Sequence, residues 1–321
     1  MEQRLQFDRD LLRRYDVSGP RYTSYPTAPQ FHEGFDDKSY AAAARASNEV
    51  PNPKPLSVYM HVPFCSNVCY YCACNKIVTA NYKRAEDYLE RVFHEIAMQS
   101  ELFDENRRVE QLHLGGGTPN YLRDEDIARL VSTLREHFNL EDTDRREFSI
   151  EIDPRDFHLE SVARLAELGF NRMSVGVQDL DADVQQAVNR VQSPELCRSI
   201  IEEGRRYGFR STNVDLIYGL PKQTAESFER TLDEIIDIRP ERLAIYNYAH
   251  LPHLFKIQKQ IKEEELPGPE EKLTLFGRTI EKLTEAGYVF IGMDHFALPE
   301  DELAQAQKHG TLHRNFQGYS T

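Results

Sequence analysis

Tryptophan is absent from this 321-residue sequence, and no run of 18 apolar residues occurs in it. Without such a run, no helix of the chain is expected to span a membrane. Residues 1–5 also lack the apolar stretch of a signal peptide. Aromatic binding surfaces have to come from the 17 Phe and 16 Tyr residues. We therefore expect a cytoplasmic protein without a membrane partner.

Basic residues are in deficit: 39 Lys and Arg stand against 53 Asp and Glu, for a net charge of −14. This balance argues against broad electrostatic binding of nucleic acid or anionic lipid. An anionic small substrate remains compatible with it, because a local group of Arg and Lys can reverse the field inside one cleft. We expect a monomer that has no nucleic-acid partner.

Nucleotide-binding glycine motifs are missing as well, since no G-x-G-x-x-G opens a helix and no Walker loop occurs. From residue 55 onward, apolar strand patterns instead alternate with helical periodicity. The predicted strands are 56–62, 109–114, 148–152, 172–177, 212–217 and 242–246, with a further apolar run at 288–293. The predicted helices cover 84–103, a segment from 124, a segment closed by Gly169, and 181–207, 225–238 and 253–286.

Strands that alternate with helices imply a parallel sheet. The distinctive residues follow the strands directly, as they do at the C-terminal rim of a barrel. We therefore predict an α/β fold with a partial (β/α)6-type barrel over residues 51–300. An N-terminal extension without clear periodicity, 1–50, is expected to contact the active-site cleft, and 301–321 to begin a C-terminal region.

Cysteine is scarce but clustered, because four of the five cysteines lie within ten positions. Clustered thiols in a cytosolic chain indicate a metal site rather than disulfides. Cys65-x-x-x-Cys69-x-x-Cys72 places three thiolates on one loop after a strand, which suits an iron–sulfur cluster. A zinc ribbon normally needs a second, separated Cys pair, so structural zinc and unligated cysteines are the weaker interpretations.

Three ligands for a cluster of four irons leave one iron open, and an open metal position is typical of a catalytic site. Cys74 forms a strained Cys-x-Cys pair with Cys72, so we place it near the substrate or beside the cluster rather than as a fourth ligand. Cys197 lies on a helix among apolar residues and is expected to be a buried structural thiol.

The cysteine motif resembles that of the radical S-adenosylmethionine superfamily. Further segments resemble the oxygen-independent coproporphyrinogen III oxidases within it, and the resemblance runs from about residue 19 to 321. These segments are PRYTSYP (20–26), YMHVPFC (59–65), CACNK (72–76), GGGTP (115–119), VDLIYGLP (214–221) and HRNFQGY (313–319).

The resemblance implies a radical SAM barrel and an enzyme of porphyrin and haem biosynthesis. Its cofactors would be a 4Fe-4S cluster and S-adenosylmethionine, of which the full-length family binds two. A 5′-deoxyadenosyl radical would take hydrogen from two propionates of coproporphyrinogen III, and loss of carbon dioxide would leave the vinyl groups of protoporphyrinogen IX. A low-potential electron donor would be the remaining partner.

By the same resemblance, Cys65, Cys69 and Cys72 would hold the cluster, while Tyr22 and Cys74 would act near the substrate. The residues expected to bind S-adenosylmethionine are Tyr59, Gly116, Gly117, Thr118, Glu151, Gln178, Arg190, Asp215, Ala249 and Gln317. The glycines would let backbone donors approach a carboxylate closely. Candidates for pairing with the substrate carboxylates are Arg21, Lys222 and Arg314.

Members of this family extend beyond the position of Thr321 into a C-terminal domain, so we expect a truncated chain whose second cofactor site and lid are incomplete. Three alternatives stay open. Instead of an active oxidase, the chain would be a haem-trafficking relative of the oxidases, an inactive fragment of an oxidase, or a non-catalytic zinc protein.

Overall fold

A computed structural model describes residues 7–15, 30–315 and 318–320. Thirteen strands lie in these residues. They are β1 (Leu56–Val62), β2 (Phe64–Cys65), β3 (Ile77–Val78), β4 (Arg108–Gly116), β5 (Asn139–Leu140), β6 (Glu147–Ile152), β7 (Arg172–Gln178), β8 (Ser211–Tyr218), β9 (Arg242–Asn247), β10 (Val289–Gly292), β11 (His295–Ala297), β12 (His313–Asn315) and β13 (Gly318–Ser320).

Six parallel strands form the centre of the largest sheet, and their spatial order is their chain order: β1, β4, β6, β7, β8, β9. The hairpin β10–β11 continues the sheet, with β11 antiparallel to β9. The predicted α/β fold with six strand–helix units is confirmed. Because the six strands are parallel, their carboxyl ends meet at one edge of the sheet.

Helices connect the parallel strands, and their caps are readable in the sequence. They are α1 (Arg9–Tyr15), α2 (Asp37–Ala46), α3 (Lys83–Ser100), α4 (Asp124–His137), α5 (Glu160–Glu167), α6 (Ala182–Ala187), α7 (Pro194–Arg206), α8 (Ala225–Ile238), α9 (Pro269–Glu285) and α10 (Glu302–His309). The predicted bounds of α8 are confirmed, since Thr224 and Ser227 form a capping box at its start and Arg239 ends it at φ 55°. None of the described helices is both long and apolar enough to cross a membrane.

Alternate residues of the central strands face opposite sides of the sheet. On β6, the side chains of Phe148, Ile150 and Ile152 are buried in a core shared with the helices, whereas the residues between them are only partly buried. The same alternation continues on β7 and β8. The partly buried side chains line a polar cavity of about 380 Å³, which we call the lumen.

The helical region predicted for 181–207 is wrong, because two helices separated by a loop occupy it. The helix α6 ends at Ala187, and α7 begins only at Pro194, with Ser193 accepting a hydrogen bond from the N–H of Leu196 as its N-cap. Asn189 lies in between with φ 54°, a left-handed conformation that Asn tolerates. The loop carries Arg190 to the sheet edge.

Two further predictions in the second half are corrected. The helical stretch 253–286 is helical only from Pro269, after two single 3₁₀ turns at Lys256–Gln260 and Glu263–Glu265. The apolar run 288–293 forms β10, but the chain reverses after it, so β11 is the strand that pairs with β9. Gly292 at φ +125° and Met293 at φ 51° make this reversal possible.

The N-terminal extension contains two helices that periodicity did not predict, α1 and α2. The first lies against α9, where Arg13 pairs with Glu270 at 2.6 Å and the ring of Phe7 meets that of Phe276 edge-on. At the other end of the chain, Asp301 is bound to Arg242 of β9 at 2.9 Å. Both ends of the described chain are therefore tied to the barrel.

Candidate active site

A cavity of about 490 Å³, here called the rim cavity, opens at the carboxyl ends of the six parallel strands. Its walls come from the loops after β1, β4 and β9, from the ends of β6, β7 and β8, and from the α6–α7 loop. Twelve of the fifteen predicted site residues line it: Cys65, Cys69, Cys72, Cys74, Gly116, Gly117, Thr118, Glu151, Gln178, Arg190, Asp215 and Ala249.

Tyr59 is placed differently from these twelve, because it lines the lumen beneath the rim cavity. Its hydroxyl lies 3.0 Å from Nδ1 of His61, and its ring stacks on His113 at 5.7 Å between centroids. Burial and the charge of Glu151 raise the pKa of Tyr59 to about 12. The predicted Tyr22 and Gln317 lie outside the described residues, as does Arg21.

Two of the three motif sulfurs accept hydrogen bonds from outside the cysteine loop. Cys65 and Cys69 are each 8% exposed. The sulfur of Cys65 accepts from Oγ1 of Thr118 at 3.5 Å. The sulfur of Cys69 accepts from guanidinium groups of Arg155 and Arg190, at 3.3 and 3.4 Å. Burial raises the pKa of Cys65, and the hydrogen bond from Thr118 opposes this rise. A donor aimed at sulfur favours the thiolate form that a metal ligand requires.

The third motif sulfur is activated from within the loop. A hydrogen bond from the Cys74 thiol lowers the pKa of Cys72, although burial opposes it, and the ammonium of Lys76 lowers that pKa further. The same hydrogen bond raises the pKa of Cys74. Lys76 is fixed by donating to the backbone oxygens of Cys72 and Cys74 at 3.1 and 3.4 Å. Cys72 is therefore the thiolate of this pair, and Cys74 keeps its proton.

The glycine loop after β4 packs directly against the start of the cysteine loop. A Cβ at Gly117 would lie 2.8 Å from the backbone of Pro63, and one at Gly116, where φ is +125°, would lie 2.8 Å from the oxygen of Val62. Gly116 N–H donates to Glu151 at 3.1 Å, and Gly117 N–H donates to Val62 at 2.8 Å. Glycine is needed here because the two backbone segments approach each other closely. We had predicted a different reason, namely backbone donors left free to bind a carboxylate.

Glu151 and Asp215 belong to both cavities and form part of the wall between them. Besides the Gly116 N–H, Glu151 contacts Nε2 of His113 at 3.2 Å. Asp215 accepts from Ser174 at 2.7 Å and from Asn213 at 2.8 Å. Burial raises the pKa of Asp215 to about 6; the hydrogen bond from Ser174 opposes this rise, and the charge of Glu151 adds to it. The two carboxylates thus crowd one site.

Arg190 crosses the floor of the rim cavity with a side chain that is only 7% exposed. One terminal nitrogen donates to Cys69 and to Asp153, and the other donates to the backbone oxygen of Gly176. Its Nε has no hydrogen-bond partner among the described residues. A buried guanidinium with one N–H unsatisfied is a ready donor for an anionic or carbonyl group in the cavity.

Comparison with known proteins adds the family. A model of the radical SAM superfamily matches residues 59–235. The chain is 54% identical to the oxygen-independent coproporphyrinogen III oxidase of Pseudomonas aeruginosa over 317 residues, and 50% identical to that of Escherichia coli over 319. These alignments cover 99% of this chain and 68% of each relative. The chain belongs to the oxygen-independent coproporphyrinogen III oxidases, a family of radical SAM enzymes.

The fold agrees with this family. The crystallised coproporphyrinogen III oxidase (HemN) from Escherichia coli superposes with a TM-score of 0.92 at 48% identity. The alignment covers 99% of this chain and 70% of that one. The parallel sheet and the cysteine loop described above are thus the oxidase family's architecture.

The family implies an iron–sulfur cluster and S-adenosylmethionine, and the rim cavity fits both. Its donor set includes three soft sulfurs on one loop together with the unsatisfied Nε of Arg190. A zinc ion would draw its ligands to within about 2.3 Å of one point. Among the described residues, no three His, Cys, Asp or Glu side chains are arranged to hold a single ion in this way. A cluster, whose irons stand apart, suits these sulfurs better.

Several cavity residues were missed by the sequence analysis, chiefly Asp153, Arg155, Lys76 and Gln258. For Asp153 a signal existed, because it directly follows β6, two residues after Glu151. Arg155 lies within the 3₁₀ turn Pro154–Asp156 and had no signal of its own. Gln258 holds the backbone oxygens of Tyr71 and Ala249 at 2.9 and 3.2 Å. Its place depends on the irregular turns that were predicted as helix.

Three other expectations concern residues outside the rim cavity. Cys197 is fully buried on α7, so the prediction of a structural thiol is confirmed; burial raises its pKa to about 12. Lys222 is exposed and absent from the cavity wall, with its N–H donating to Glu265 at 2.7 Å. Arg314 lies over the ring of Tyr319 at 5.7 Å.

Proposed function

We propose that this chain catalyses the oxygen-independent oxidative decarboxylation of two propionate side chains of coproporphyrinogen III, giving protoporphyrinogen IX. The observation that carries the proposal is the rim cavity, where the cysteine loop meets polar residues from the ends of β6, β7, β8 and β9. The substrate is taken from the relatives, which are named coproporphyrinogen III oxidases. We propose in addition that a low-potential electron donor is a partner of this chain.

In this proposal Cys65, Cys69 and Cys72 hold a 4Fe-4S cluster, and S-adenosylmethionine binds beside it in the rim cavity. When bound and reduced, this pair supplies a carbon-centred radical that removes hydrogen from a propionate side chain. Two propionates are converted, and we propose two molecules of S-adenosylmethionine, with Gln317 at the second. Burial of Cys65 and Cys69 limits the access of water and other quenchers to the reacting centre.

The remaining cavity residues orient S-adenosylmethionine by charge. Glu151, held by the N–H of Gly116, receives the cationic ammonium group, and the free Nε of Arg190 donates to the carboxylate. Asp215 is oriented by Ser174 and Asn213 so that it accepts hydrogen bonds from hydroxyl groups. Gln178, Thr118 and the backbone of Ala249 close the site, and Tyr59 supports it from below.

Substrate-side roles fall to Cys74 and Tyr22. Cys74 is the exposed thiol of the loop and lines the rim cavity, so its sulfur meets the substrate while its proton is donated to Cys72. Tyr22 is proposed as a hydrogen-bonding group near the substrate. Arg21 and Arg314 are the candidates for the substrate carboxylates.

The test is anaerobic release of 5′-deoxyadenosine from S-adenosylmethionine after iron and sulfide reconstitution, with a strong reductant and coproporphyrinogen III. We expect release accompanied by protoporphyrinogen. Cys65→Ser should abolish both, whereas Cys197→Ala, a cysteine change far from the loop, should preserve both. A loaded cluster without either product would contradict the proposal.

The haem-trafficking alternative makes the opposite prediction in the same sample. It requires stable, stoichiometric haem binding and no loss of carbon dioxide from coproporphyrinogen III. One zinc per chain with no acid-labile sulfide would instead favour the structural zinc protein.

A further inference from the structure

The three motif sulfurs have unequal surroundings. Cys65 accepts one hydroxyl, and Cys72 accepts a thiol and the ammonium of Lys76. Cys69 accepts two guanidinium groups, from Arg155 and Arg190, and also has a hydrogen bond with Tyr71. Arg190 is already needed to orient S-adenosylmethionine. Arg155 has no such task, which raises the question of why a second guanidinium is buried against the same sulfur.

Arg155 is held by contacts that fix its guanidinium in one plane. Its Nη2 and Nε donate to the two carboxylate oxygens of Asp153, at 2.6 and 3.0 Å, and Nη1 donates to the backbone oxygen of Asn189 at 3.2 Å. The same Nη2 reaches the sulfur of Cys69 at 3.3 Å. Asp153 in turn accepts from the backbone N–H of Arg155, in the turn begun by Pro154. Such a bidentate pair is pre-organised rather than mobile.

The charges in this group do not cancel among themselves. Arg155 and Arg190 contribute two positive charges and Asp153 one negative charge, and the side chains of all three are at most 13% exposed. One unit of positive charge is therefore left facing the sulfur of Cys69. The thiolate of Cys69 offsets this charge, and the negative charge that reduction adds at the cluster is stabilised by the same two guanidinium groups.

We propose that Arg155 is a positioning residue that acts through Cys69 to raise the reduction potential of the cluster, which makes the electron needed for radical formation easier to accept. Reduction adds negative charge to the cluster and its sulfurs, and hydrogen bonds to those sulfurs stabilise the reduced state. This inference rests on the proposed function, because it requires the cluster to be held by the cysteine loop.

The experiment is an EPR-monitored redox titration of the reconstituted full chain without S-adenosylmethionine, so that changes in cofactor binding do not enter. For Arg155→Met we expect the ratio of reduced to oxidised cluster at a fixed potential to fall about ten-fold, which is about 59 mV for one electron. Arg155→Gln keeps a neutral N–H donor, so its midpoint potential should lie between those of the unaltered chain and Arg155→Met. It provides the same readout if the methionine variant does not retain its cluster.

Arg172→Met is the matched control, because the side chain of Arg172 is 8% exposed and pairs with Glu302 in the lumen, away from the cysteine loop. It should leave the midpoint potential unchanged. An unchanged potential in the Arg155 variants, or an equal shift in the Arg172 variant, would overturn the inference. Failure of the unaltered chain to load any cluster would instead count against the proposed function.

Discussion

The rim cavity and the lower end of the lumen are both rich in charged side chains, but they differ in how those charges are neutralised. In the lumen, Arg242 donates to Asp301 at 2.9 Å, and Arg172 pairs with Glu302. In the rim cavity, by contrast, Arg155 and Arg190 share the single carboxylate of Asp153 beside Cys69. An Nε without a hydrogen-bond partner among the described residues occurs in both regions, on Arg190 and on Arg172. Charge density alone does not distinguish a binding site from a structural one. The balance between guanidinium and carboxylate groups does, because the two lumen arginines have a carboxylate each whereas the two beside Cys69 share one.

The largest effect expected from this contrast is at the cluster. Cys65→Ser should abolish the visible absorbance of the reconstituted protein, because one of the three proposed ligand sulfurs is lost. Cys74→Ser should retain most of it, since Cys74 keeps its proton and serves as a donor to Cys72. Absorbance spectra with iron and sulfide analysis check this. Equal loss in both variants would make Cys74 a ligand.

A smaller effect, on stability alone, is expected in the lumen. Asp301→Ala removes three interactions at once. Asp301 pairs with Arg242, accepts a hydrogen bond from Ser211, and is the N-cap of α10. Arg242, whose side chain is 16% exposed, would keep only Glu302 at 3.9 Å, so the combined losses should lower the free energy of unfolding by about 4 kcal/mol. Denaturant titration measures this, with the exposed neighbour Glu300→Ala as control. Cluster absorbance should be unchanged, and a parallel loss of cluster would erase the distinction between the two regions.

These two regions also differ in how far the sequence predicts them. Strand-end positions, the cysteine spacing and the family resemblance located twelve rim residues, because parallel strands bring their carboxyl ends together whatever lies between them. Arg172 and Arg242 begin their strands, and nothing local indicates that residues 130 and 59 positions away, Glu302 and Asp301, would pair with them. Such pairings depend on how α10 folds back onto the sheet.

The errors have the same origin. Ser193-Pro194 was a readable helix start, yet the apolar residues on either side of it suggested one continuous helix over 181–207. The hairpin at Gly292-Met293 likewise depends on two positive φ angles that no periodicity reports. Arg155 was overlooked because its role depends on a contact with Cys69, 86 positions away.

The raised pKa of Asp215 predicts a cost in stability that the site bears for function. A carboxyl whose folded pKa is about 6, against 3.8 as its ordinary value, binds its proton more tightly when folded. Folding stability therefore falls as pH rises from about 4 to about 6, by about 3 kcal/mol in total. Asp215→Asn should remove this fall.

Thermal unfolding of the cofactor-free protein at several pH values checks the expectation. The asparagine variant should melt above the unaltered chain at pH 7.5, with the advantage disappearing near pH 4. Asp233→Asn, on the exposed face of α8, should show no such pH dependence. A variant that is less stable than the unaltered chain at pH 7.5 would place Asp215 with the compensated charges of the lumen.

The smallest effect is expected at Lys222, which follows β8 just as the cavity residues follow their strands. It nevertheless stands exposed, outside the cavity wall, at φ 64°. A left-handed conformation costs a non-glycine residue roughly 1 kcal/mol, so Lys222→Gly should leave stability unchanged or raise it within that limit. Turnover of coproporphyrinogen III should also be unchanged, as measured by protoporphyrinogen formation. A rise in KM of ten-fold or more would show that a strand-end position can bind substrate without lining the cavity, and would extend the site beyond the rim.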